Sequence, residues 1–356
     1  LDLDPDHENI FLTYVHTLEL VGEHKKAIMK VGDYLQRNSH RELAGVPLSA
    51  FLSCVPTEAE DLYMYNPDFD EILTGSYKAT NAYFTENELY LLAILFTLVK
   101  ILYIKGALLF IPALLELLEP LEKGRELHKT IIRNEAAYFG CAQKIVSLKL
   151  LPPSPKPSQS FIYFVGDSHC VTPAWRTIIY QGKSHTIHPV LSTGTKIWHL
   201  RPGATFYPKV DFTNTIKVIP DGAHVIFAFG EIDCRESMLI CVEKCRYDSL
   251  EEAMDCVIDI YINLLKELMA AHDWTIHVHP VSPVLDVTRR IVMKFNRRLK
   301  KRVMAEASLH WLDFVDKLVT EDKSKLVKEY DFDLTHLHPS YVSLLESALV
   351  LSHVSS

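Results

Sequence analysis

Glycine is scarce in this chain, with 13 among 356 residues. Each glycine at a strand end or a special turn is therefore more informative than it would be in a glycine-rich protein. Even with 18 prolines, composition excludes collagenous and low-complexity classes, and 48% apolar against 23% charged residues excludes a disordered chain. Long basic runs are also missing, the longest being Lys300-Lys301-Arg302, and the net charge is −8. Without a basic footprint, nucleic acid is excluded as an expected partner.

Seven cysteines are an odd number and too sparse for a disulfide scaffold, and no asparagine begins an N-x-Ser/Thr sequon. Both absences lean toward a reducing, cytoplasmic setting. No charged-then-apolar leader is visible at Leu1. There is no G-x-x-x-x-G-K-S/T loop and no H-E-x-x-H helix, so nucleotide hydrolysis and zinc-protease chemistry have no support. Cys241 and Cys245 form a C-x-x-x-C pair without a second pair, which reads as ordinary helix rather than as a metal site. No cofactor or metal is expected.

What is present divides into two parts. Residues 151–160 hold four prolines in six positions, which neither a helix nor a central strand accommodates, and they read as a linker. Residues 1–150 read as an all-helical module. Ile10, Tyr14 and Leu18, then Ala27, Val31 and Tyr34, recur at helical spacing on either side of Gly22. That spacing, with the Leu3-Asp4-Pro5-Asp6 entry, resembles one tetratricopeptide repeat without its early large aromatic residue. Residues 89–118 are the most apolar stretch, but Lys100, Lys105, Gly106, Pro112 and Glu116 interrupt it. A buried helix pair turning near Gly106 fits better than a membrane span. A further helix is expected within 122–148, and the module is a candidate for protein partnering or self-association.

From residue 161 the period changes. Short apolar runs at 161–165, 185–190, 225–229, 274–279 and 309–314 alternate with helical patterns at 172–181, 250–270 and 286–305. Alternation of this kind predicts a three-layer α/β/α domain over 161–356 with a mostly parallel five-stranded sheet. Ligands in such folds sit beyond the carboxyl ends of the strands. Three polar clusters fall there: Gly166-Asp167-Ser168-His169, Gly230-Glu231-Ile232-Asp233-Cys234-Arg235, and Asp333-Leu334-Thr335-His336-Leu337-His338.

These clusters resemble the motif blocks of the SGNH/GDSL hydrolase superfamily. Gly166-Asp167-Ser168 is similar to its G-D-S block, Asp333-x-x-His336 to its D-x-x-H block, and Gly230 to Asp233 to a degenerate G-x-N-D block. Gly194 falls where the family keeps an isolated oxyanion-hole glycine. The resemblance spans about 161–350. It implies a flavodoxin-like arrangement and acyl transfer through Ser168, with His336 as base and Asp333 orienting it. An acylated small molecule or carbohydrate would be the substrate, and water or another hydroxyl the acceptor. Gly194 would supply an oxyanion donor by that resemblance, and Glu231, Asp233, Arg235 and His169 are further candidates for oxyanion or substrate contacts.

Ile232 stands where the family places an asparagine donor, and Arg235 is the first candidate to replace it. Losing such a donor typically costs about 100- to 1000-fold in rate, so a catalytically weak or inactive binding scaffold is the alternative function. Each site residue also has a structural reading. Ser168 could cap a helix starting near Thr172, Asp233 and Arg235 could form an ion pair, and His338 competes with His336. His277 and His279 read as core or rim residues.

Overall fold

The computed structural model describes residues 7–56, 83–149 and 160–354. The Leu3–Asp6 entry and all of the 151–160 linker except Ser160 lie outside the described residues. The chain forms two compact units, Leu1–Ser158 and Gln159–Ser356.

The first unit opens with α1 (Glu8–Leu20) and α2 (His24–Arg37), joined through Gly22. A two-residue hairpin of β1 (Glu42–Leu43) and β2 (Val46–Pro47) follows, then a 3-10 turn at Leu48–Cys54. This hairpin corrects the all-helical expectation. Ala44 and Gly45, both at positive φ, reverse the chain there and allow the short strands to pair.

α3 (Glu86–Ile104) starts in a capping box between Thr85 and Glu88, and every residue from Leu91 to Ile104 is buried. It is long and apolar enough to cross a membrane, and 78% of its most apolar window is buried inside the protein. Within its own unit it packs on α1, α2, α4 (Ile111–Glu122) and α5 (Arg133–Ser147). Lys100, which interrupts the apolar run, is buried against Glu19 of α1 at 2.6 Å. A helix apolar on all faces is a core element, and its lone cation persists because it is paired.

The second unit is built on β3 (Phe161–Gly166), β4 (Thr177–Tyr180), β5 (Lys183–Leu191), β6 (His224–Ala228), β7 (Thr275–Val278) and β8 (Leu309–Trp311). Their spatial order is β4-β5-β3-β6-β7-β8, with every pair parallel except β4 with β5. The sheet therefore has six strands rather than five. The extra one comes from the stretch read as a helix at 172–181. Pro173 and a left-handed Trp175 break any helix there, and Thr177 to Tyr180 alternate exposed and buried as a half-buried strand does. Gln181 and Gly182, both at positive φ, close the two-residue hairpin into β5.

Crossovers carrying α6 (Tyr207–Thr215), α7 (Met238–Glu243) with α8 (Leu250–Ala271), and α9 (Arg289–Val303) advance the sheet in one direction. Right-handed crossover then puts all three on one face. There, side chains such as Phe212, Tyr261, Leu265, Phe295 and Leu299 share one core with Val165, Val225, Phe227, Ile276 and Val278. α10 (Val342–Val354) packs on β4 and β8. Ahead of it Tyr341 meets Phe314 and His279, and His279 in turn meets Phe164. Phe164 points opposite to Val165, so this is the other face of the sheet.

Register positions the chemistry. Gly166 at the end of β3 pairs with Leu191 of β5 and Ala228 of β6, so the three strands finish level. The loops after 166, 191 and 228 consequently emerge side by side.

Candidate active site

The loop after β3 turns at Asp167 into a 3-10 turn, Ser168–Cys170. Gly166 permits this geometry, because a Cβ there would lie 2.8 Å from the Ala228 carbonyl oxygen of β6. Asp167 Oδ1 accepts the His169 backbone N–H at 3.0 Å and bonds the His169 ring at Nδ1 at 2.8 Å. Ser168 sits between these two residues with its hydroxyl free to reach outward. The capping group is thus Asp167, and Ser168 is used otherwise.

His336 Nε2 lies 2.8 Å from Ser168 Oγ, and His336 Nδ1 lies 2.7 Å from Asp333 Oδ2. Asp333 Oδ1 accepts the backbone N–H groups of Thr335 at 3.0 Å and His336 at 2.7 Å. Leu334, at φ 72, is the left-handed residue that folds the chain tightly enough for one carboxylate to meet both. Burial alone would push Asp333 up, but the hydrogen bond and charge of His336 and the two N–H groups take it down to about 2. Asp333 is therefore anionic across the physiological range. It fixes the His336 tautomer with a proton on Nδ1 and leaves Nε2 to accept from Ser168.

His338 does not compete for Ser168. Its Nδ1 accepts the Ser340 N–H at 3.1 Å and so caps the 3-10 turn before α10. His277 and His279 are buried, and burial takes His279 down to about 3, a neutral core histidine bonded to the Pro280 carbonyl.

The remaining site candidates separate. Gly194, at φ 63, lies on the loop leaving β5, which is tied to β3 by the Ser192 N–H bonding the Gly166 carbonyl at 2.8 Å. Among the described residues no hydrogen bond takes up the Ser168 or Gly194 N–H. Buried Asp211, which sequence reasoning missed, anchors this loop by accepting the Ser192 hydroxyl and the Thr193 N–H, each at 2.9 Å. It carried no sequence signal beyond being a lone carboxylate within an otherwise unremarkable helix.

Asp233 is fully buried and accepts the N–H groups of Ile197 at 2.7 Å and Trp198 at 3.1 Å. Burial pushes it up to about 6, against the pull of those two N–H groups. This corrects the reading of an Asp233–Arg235 ion pair, which is not made among the described residues. Asp233 instead ties the end of the Gly194 loop to the segment after β6. Arg235 instead faces Glu231 at 3.7 Å and Glu236 at 3.5 Å. Ile232 precedes a π-helical turn at Asp233–Ser237 and offers no side-chain donor. His169 and Glu231 are both buried, His169 with its ring edge-on to His336 at 5.2 Å between centroids.

No family model and no curated protein matches the chain. A solved structure from Streptococcus pneumonia, provisionally described as a platelet activating factor, has a TM-score of 0.39 and 15% sequence identity. Its match covers 58% of this chain and 88% of that one. A second, provisionally described as an acylhydrolase from Bacteroides fragilis, has a TM-score of 0.36 and 14% identity, covering 60% and 93%. Likeness at this level carries no argument about chemistry.

Proposed function

We propose that the chain is a serine-dependent acyl-ester hydrolase or O-acyltransferase of SGNH type. The observation that carries this reading is the continuous hydrogen-bonded line from Ser168 through His336 to Asp333. A serine hydroxyl becomes a useful nucleophile near neutral pH when a base accepts its proton and a third group orients that base.

In the proposed reaction Ser168 Oγ attacks the ester carbonyl while its proton passes to His336 Nε2. The tetrahedral oxyanion forms beside the N–H groups of Ser168 and Gly194, the two candidate donors. His336 returns the proton to the departing alcohol, leaving the acyl group on Ser168. Water, or a hydroxyl of an acceptor such as a sugar, then attacks the acyl carbonyl as His336 takes its proton. Proton return to Ser168 completes the cycle, and Asp333 remains anionic throughout.

Turnover of p-nitrophenyl acetate by the full chain tests the reading. Ser168→Ala and His336→Ala are each expected to abolish turnover while circular dichroism stays unchanged. Activity surviving both substitutions overturns it and favours a non-catalytic binding scaffold.

A further inference from the structure

We propose, on the basis of the Ser168 acyl-transfer reading, that His169 is a positioning residue whose ring, held by the buried Asp167 and packed edge-on against His336, braces the nucleophile loop. No member of the Ser168–His336–Asp333 line accounts for the group behind it. Asp167 and Glu231 are two carboxylates, 1% and 4% exposed, on adjacent strand-end loops. Asp167 Oδ2 and both Glu231 oxygens have no hydrogen-bond partner among the described residues. Two buried carboxylates without neutralising charge cost several kcal/mol each. The cations that meet them are His169, 8% exposed, and Arg235, whose guanidinium stands 3.7 Å from Glu231.

Geometry assigns His169 the central place. Asp167 Oδ1 holds both its Nδ1 and its backbone N–H, closing a small ring around Ser168, while its imidazole meets His336 edge-on at 5.2 Å and 60°. A neutral imidazole would leave Asp167 uncompensated. The groups facing His169 are Asp167 on its own turn, Glu231 and Arg235 after β6, His279 after β7, and His336 with Asp333 on the C-terminal loop. Burial alone would lower His169, but the charge and hydrogen bond of Asp167, helped by Glu231, raise it to about 9. His169 then carries its charge through neutral pH and loses it as pH rises through about 9.

The consequence is specific to the transition state. A brace that holds Ser168 and His336 in attacking geometry acts on the chemical step and not on ester binding, so the effect belongs in kcat rather than KM.

The test measures kcat and KM of the full chain with p-nitrophenyl acetate from pH 6 to 9.5 for the native protein, His169→Gln and Ser168→Ala. Glutamine keeps an N–H for Asp167 without the charge. His169→Gln is expected to hold KM within about 2-fold and lose roughly 10- to 100-fold in kcat, less than a direct oxyanion donor is worth. The native kcat is expected to fall as pH rises through about 9, and the variant to lack that fall. A variant with native kcat, or with the same alkaline fall, overturns the inference. Ser168→Ala separates the two readings. If it is silent while His169→Gln is native-like, only the role of His169 fails. If it retains turnover, the acyl-transfer reading itself fails. Should His169→Gln not fold, imidazole nitrogen NMR of the native chain decides: an imidazolium persisting above pH 8 supports the inference, and its absence overturns it.

Discussion

At the scale of single residues, the site sorts its carboxylates by what each one accepts. Asp333 takes two backbone N–H groups and the His336 ring, and these outweigh burial. Asp233 takes two N–H groups but has no cation in direct contact among the described residues, and burial prevails. The two therefore respond to acid in opposite senses. Asp333, lowered from 3.8 to about 2, contributes stability that is present above 3.8 and lost as pH falls through about 2. Asp233, raised from 3.8 to about 6, subtracts stability as pH rises from 3.8 through about 6. The difference in thermal midpoint between the native chain and Asp333→Asn should be constant from about pH 5 to 8 and shrink toward pH 2. A difference that grows on acidification would contradict the assignment. Ser168 was legible in the sequence because it lies two residues beyond the end of β3, and Asp333 and His336, 22 and 25 residues beyond β8, through their D-x-x-H spacing ahead of the last helix. The partner of Asp233 was not, since Ile197 and Trp198 lie 36 and 35 residues away and are met through their backbone.

At the scale of elements, the site depends on strands that end level and on tight turns leaving them. Gly230 follows β6 at φ 119, where a Cβ would lie 2.9 Å from Val281 Cγ2 and 3.3 Å from Ile197 Cδ1. Gly230→Ala combines backbone strain with overpacking and should cost about 3 kcal/mol or more by denaturant unfolding; a cost under about 1 kcal/mol would refute this geometry. In the first unit, Lys100→Ala would leave Glu19 buried without its cation and should cost about 3 to 5 kcal/mol, measured the same way. Lys100→Met should recover part of that loss only when combined with Glu19→Leu, because the penalty lies in the orphaned charge. The buried helix pair around Gly106 was readable from its interrupted apolar run. β4 was not, because Thr177 to Tyr180 is too short for its period of two to stand out, and Gln-Gly is a weaker hairpin signal than Asn-Gly.

At the scale of the whole molecule, a chain with net charge −8 and no basic run carries a strand-edge site whose parts come from four separate stretches of sequence. Sheet register brings the loops after β3, β5 and β6 together, and the loop before α10 supplies the base. Sequence pattern predicted the edge because parallel strands and their crossovers are local. It did not reveal the buried charges behind that edge, Asp211 beneath the Gly194 loop and the Asp167–His169 pair, because pairing depends on side chains that only the fold brings together. The central claim is that Ser168 is the nucleophile. Treating the intact chain with a fluorophosphonate probe, followed by peptide mass spectrometry, tests it most directly. One covalent adduct on Ser168, lost in His336→Ala and blocked by a reactive acyl ester, is predicted; no adduct, or labelling of another serine, would contradict the account.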